Sequence, residues 1–131
     1  MTTFKKLSSY IDEPITELHN KYGAFWAFSK SQFEESAKEN INYVVFWGAC
    51  YCDKNTVKQF VYEYNEIHRK AKELFLNENN KEDIIKYELS NYECYYTGDI
   101  SEAYEVLKSY NFTIDEVREV YRKELQNMDD F

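Results

Sequence analysis

Apolar positions recur three and four apart over most of the chain, and that spacing predicts helix. The longest such stripe is Val57, Phe60, Val61, Tyr64, Ile67, Ala71, Leu74 and Phe75. It predicts a helix over about 54–77, opened by Asp53, with Lys58, Glu63, Glu66, Arg69, Lys70 and Glu73 on the opposite face. Asp12-Glu13-Pro14 reads as a helix start, because Pro is tolerated in a first turn and acids suit the positive end of the dipole. That helix runs to about Tyr22, with Gly23 as its stop. Ser31 with Glu34 reads as a capping box for a helix to about Lys38. A helix over about 81–90 buries Ile85 and Leu89. Asp99 with Glu102 opens another, to about Tyr110. Thr113 with Glu116 opens the last, to about Asn127, with Ile114, Val117, Tyr121 and Leu125 as its stripe.

Three segments break this period. Asn42 to Cys52 (NYVVFWGACYC) is β-branched, aromatic and apolar on both faces, which predicts a central strand, with Gly48 marking a bulge or a close backbone approach. Tyr92 to Thr97 (YECYYT) alternates and predicts a second strand, closed by Gly98. Ala24 to Phe28 (AFWAF) fits either a short buried strand or a packed approach to the next helix. The expected fold is therefore α+β: mostly helical, a single domain over 1–131, with a small two- or three-stranded sheet against several helices.

Composition changes the picture in one respect. Aromatic residues make up 18 % of the chain, from 13 Tyr, 9 Phe and 2 Trp. A domain of 131 residues does not need them all inside, so some are expected on the surface, where a cluster reads as a contact face. The net charge is −8, and only three residues are Arg: Arg69, Arg118 and Arg122. That balance argues against free nucleic acid or an anionic membrane as a partner and favours encounter with a basic protein. An odd set of three cysteines, with no apolar segment after Lys5 and Lys6 and no run long enough to span a bilayer, is expected of a cytoplasmic chain.

Candidate chemistry is sparse. Cys50 and Cys52 share one face of a strand and, with Cys94 and His68, can be imagined around zinc, but the single-residue spacing is not that of a knuckle and Cys is commonly a core residue. His68 and His19 stand in no nucleophile or metal motif, and no Gly-rich phosphate loop occurs. No catalytic, cofactor or metal residue is therefore assigned. Paired acids such as Glu82/Asp83 and Asp115/Glu116 sit at helix N-termini, where the dipole accounts for them. Glu63, Glu66 and Glu73 do not. With Asp129 and Asp130 they are the expected acidic contact residues, and Tyr62 and Tyr87, off their helix stripes, the aromatic ones.

The segments Gly23-Ala24-Phe25-Trp26-Ala27-Phe28-Ser29 with Gln32-Phe33, Tyr51-Cys52-Asp53-Lys54-Asn55, Tyr87-Glu88-Leu89-Ser90-Asn91-Tyr92-Glu93, Thr97-Gly98-Asp99 and Thr113-x-x-Glu116-Val117 resemble a family of small proteins of bacteriophages and mobile elements, over about 21–121. That resemblance transfers no catalytic residue. By origin, size and acidity such proteins resemble anti-CRISPR and other anti-defence proteins. The resemblance implies an inhibitor in a bacterial host cell that binds an RNA-guided nuclease, a type VI RNase being one possibility, and blocks guide or target binding. A phage accessory binding module with an unrelated partner, or a small enzyme acting on RNA or a nucleotide signal, are the alternatives.

Overall fold

The computed structural model describes residues 3–129. Among them are seven helices and three short strands, so the chain is α+β and mostly helical. The order is α1 (Ser8–Tyr22), β1 (Phe25–Trp26), α2 (Lys30–Ser36), β2 (Tyr43–Phe46), β3 (Cys50–Asp53), α3 (Val57–Glu78), α4 (Lys81–Asn91), α5 (Cys94–Thr97), α6 (Ser101–Lys108) and α7 (Ile114–Asp129). The chain divides into two compact units, one of residues 6–75 and one of residues 1–5 and 76–131.

In the N-terminal unit, α1 begins four residues before the expected start at Asp12, so Pro14 lies inside the helix. Leu7, Tyr10 and Ile11 extend its half-buried side upstream, and Tyr10 meets Phe75 edge-on at 6.3 Å. The helix stops at Gly23, whose φ of 65° lets its N–H return to the His19 carbonyl. The expected capping box of Ser31 with Glu34 does not form. Ser29 is the cap of α2: its Oγ accepts from the Gln32 N–H, while Gln32 Oε1 accepts from the Phe28 N–H at 2.7 Å.

The sheet is antiparallel in the order β1-β3-β2. The single strand expected over 42–52 is a hairpin, because Trp47 and Gly48 both take positive φ, 53° and 84°, and reverse the chain. Asp53 does not cap α3 directly. Its Oδ1 accepts from the Asn55 N–H in an Asx turn, and the Thr56 carbonyl begins the helix by accepting from Phe60.

Each face of the sheet packs aromatics. On one, Cys50, Cys52 and Phe60 are fully buried with Leu18 and Ala24, and Tyr22, Phe46, Tyr64 and Ile67 pack around them. On the other, Phe33 of α2 covers Tyr43 and Tyr51 at 5.8 and 4.8 Å, and Phe25 stacks on Tyr51 at 5.6 Å. These rings are half-buried walls of the sheet; among the described aromatics only Phe60, Phe75 and Phe112 are buried in the core. Leu74, expected in the α3 stripe, is exposed instead.

In the C-terminal unit α4 packs against α5, α6 and α7. Ile84, Ile85, Leu89, Cys94, Leu107 and Val117 fill its interior, each worth on the order of 1.5–3 kcal/mol for the largest side chains. The second expected strand, Tyr92 to Thr97, is not a strand. Glu93 turns the backbone left-handed (φ 54°), and 94–97 form the single turn α5, ended at Gly98 with φ 75°. The Thr113/Glu116 capping box forms as expected: Glu116 N–H donates to Thr113 Oγ1 at 3.2 Å, and Thr113 N–H donates to Glu116 Oε1 at 2.9 Å. Among the described residues no helix is long and apolar enough to cross a membrane.

Candidate functional site

The expected contact residues of α3 form a local ionic network. Glu63 takes the Lys21 ammonium at 2.9 Å and the Tyr22 hydroxyl, which together hold its carboxyl below the usual carboxylate range, the tyrosine bond contributing most. Arg69 spans Glu66 at 2.9 Å and Glu73 at 2.8 Å, and its hydrogen bonds lower the Glu66 carboxyl likewise. Two cations thus offset three carboxylates. Tyr62 stands out from this helix, 61 % exposed. Glu63 and Glu66 line a shallow recess with Leu18, Lys21, Ile67 and Lys70. Tyr87 belongs to the C-terminal unit, where it is half-buried and its ring lies 5.1 Å from Phe4, so it is a packing residue. Asp130 and the side chain of Asp129 lie outside the described residues.

The charge is unevenly divided. Residues 6–75 carry ten acids against nine bases, whereas the remaining residues carry fourteen against seven. Nearly the whole net charge therefore belongs to the C-terminal unit, which holds only Tyr87 and the two terminal aspartates of the seven expected contact residues. Ion pairs of that unit, such as Lys81–Glu116, Lys86–Glu124 at 3.2 Å (with Glu82 at 3.8 Å from the same ammonium) and Arg122–Glu119, leave its excess of acids unchanged.

The most exposed ring among the described residues, Tyr96 at 92 %, lies in this unit. Ser90, Glu93, Tyr95, Tyr96 and Met128 line a recess of about 360 Å³ there. Tyr95 is fixed by stacking on Tyr121 at 5.8 Å, and burial pushes its hydroxyl up to about 12. Sequence reading missed Tyr96 because alternation placed it in a strand. The left-handed Glu93 that turns it outward carries no sequence mark, unlike a glycine.

The cysteines are core residues. Cys50 and Cys52 do share one face, as period two requires, and both are fully buried against the α3 side. Burial, with the neighbouring Cys52 sulfur, raises the Cys50 thiol to about 11, so it stays protonated and is a poor nucleophile. Cys94 is buried in the other unit. Among the described residues no group of three His, Cys, Asp or Glu side chains is placed to hold a metal ion.

The fold and its surfaces define a small α+β protein of two helical units, one nearly neutral and bearing a three-stranded antiparallel sheet, the other strongly acidic. Its sequence matches a family of unknown function (DUF7659) over residues 7–127, across both units, and the chain belongs to that family. No curated protein and no solved structure is similar enough to match it.

Proposed function

We propose that this protein is a non-catalytic binding protein that docks its acidic C-terminal unit onto a positively charged groove of another protein. We further propose that the partner is an RNA-guided nuclease of bacterial defence, and that the chain, of phage or mobile-element origin, blocks guide or target binding in the manner of an anti-CRISPR. One observation carries the first part: twice as many acids as bases in residues 1–5 and 76–131, beside near balance in residues 6–75. Acidity kept only for solubility has no reason to collect in one unit. A surface that must compete with phosphates for Lys and Arg does. Tyr96, wholly presented and flanked by Glu93 and Met128, is the aromatic anchor of that surface. The aromatic AFWAFS and ELSNYE segments support the second part through the family resemblance they carry.

The ion-paired carboxylates of α3 have a secondary place in this reading, because Lys21 and Arg69 already meet most of their charge. The test is affinity capture of the tagged chain from a phage-infected bacterium, followed by cleavage assays with the captured nuclease and its guide. Recovery of a defence nuclease, with inhibition that weakens in Tyr96→Ala and Glu93→Lys, is expected. Recovery of an unrelated protein favours the accessory-module reading, and turnover of RNA or a nucleotide signal by the purified chain favours an enzyme.

A further inference from the structure

Both tryptophans of the chain stand at one end of the sheet in the N-terminal unit. Trp26 on β1 pairs with Cys50, and the Ala27 N–H donates to the Ala49 carbonyl, so β1 leaves the sheet beside the hairpin tip that carries Trp47. Phe28, Trp26 and Trp47 follow one another in near-parallel stacks, with centroids 6.2 and 6.5 Å apart and planes within 15° and 21°. They are 76, 44 and 46 % exposed. Trp47 then leans on Tyr64 at 4.6 Å, which roots the row on α3.

Two observations set this end apart from ordinary exposed surface. The first is conformational. A left-handed φ of 53° disfavours a bulky aromatic, and Asn or Asp before Gly48 makes this turn at lower cost. Trp47 is kept there for its side chain, nearly half of which faces water. The second is electrostatic. Residues 24–29 and 41–52, which supply the row and the strands around it, include no charged side chain; Asp53 ends β3 at the opposite end of the sheet, and Lys30, beside Phe28, is met by Glu34 at 3.9 Å.

We propose that this sheet end is the contact face of a two-fold homodimer of the chain. A two-fold interface sets a patch against itself, so any net charge in it meets its own sign; an uncharged aromatic patch on a balanced unit meets that requirement. A basic partner is matched instead by carboxylates, and they are elsewhere. With aromatic side chains contributing roughly 150–250 Å² each, the exposed parts of the three rings come to about 350 Å² per copy. That is the desolvated centre of an interface smaller than the ~800 Å² per partner of a stable complex, and it makes the dimer a weak one. The excess acids of the C-terminal unit repel between copies, so added salt strengthens this association, whereas it weakens binding to a basic partner.

Because the only two tryptophans lie in the patch, intrinsic fluorescence reports on it directly. Sedimentation of the full chain from about 5 to about 500 μM is expected to show mass rising toward that of a dimer, with tryptophan emission moving to shorter wavelength in step. Phe28→Lys, at the most exposed ring of the row, and Trp47→Asn, which suits the turn better, are each expected to weaken association at least about tenfold with unchanged circular dichroism. Should Trp47→Asn fail to fold, Phe28→Lys decides alone. A chain that stays monomeric with constant emission overturns the proposal, as does a dimer that survives Phe28→Lys or dissociates with salt.

Discussion

The Lys81 ammonium, at the first residue of α4, bonds the Glu116 carboxylate in the first turn of α7, and the same carboxylate accepts the Thr113 backbone N–H. One side chain thus completes a helix cap and ties two helices of the C-terminal unit together. These bonds, the lysine's first, hold the Glu116 carboxyl down to about 2, below its ordinary 4.5. A carboxyl lowered in the folded state contributes stability that is present above the unfolded value and lost as pH falls through the folded one. Thermal stability should therefore fall between about pH 4.5 and 2, and Glu116→Gln should flatten the profile in that window.

Glu88 should show the opposite sign. It is buried on α4, and burial raises its carboxyl above the ordinary value, only partly offset by the Asn91 hydrogen bond. A raised carboxyl favours the folded state in its protonated form, so its contribution is full at acid pH and falls as pH rises through the folded value. Glu88→Gln keeps the shape and removes the charge. Its melting temperature should exceed that of the parent at neutral pH and converge with it in acid.

Phe60 is the hub of the N-terminal core, fully buried between His19 at 5.2 Å, Phe46 at 5.9 Å and Tyr64 at 6.1 Å. Phe60→Ala should cost about 3–5 kcal/mol in denaturant unfolding, since rings on three sides cannot all collapse into the cavity. Leu74→Ala, exposed on the same helix, should cost a small fraction of that.

Gly23 stops α1 at a φ of 65°, with open space where a Cβ would go. Gly23→Ala should destabilise by about 1 kcal/mol through backbone strain alone. Gly23→Asn should recover much of that loss, because Asn tolerates the left-handed region.

Where two signals agreed in the sequence, the structure follows it. Thr113 and Glu116 supply both a stripe start and a reciprocal cap, and α7 begins with them. Over 42–52 only hydrophobicity spoke. A turn made by Trp47 and Gly48 has none of the polar residues that usually mark a reversal, so two strands read as one. At 92–97 alternation was an accident of a four-residue segment whose Cys94 faces the core and whose Tyr96 faces water. The acidic stripe of α3 was half legible. Arg69 lies three and four residues from Glu66 and Glu73, a spacing that announces pairing, but Lys21 reaches Glu63 across 42 positions. No local pattern encodes such an approach.

The buried thiols give the protein two internal clocks. Cys50 and Cys52 are sealed in the sheet of one unit and Cys94 in the helices of the other. A thiol-trapping reagent can attack each only while its surroundings are open. Mass spectrometry that separates the two modified peptides would time how often each half breathes. Equal rates would mean that the long α3 helix, which runs through the boundary at residues 75 and 76, makes the halves open as one.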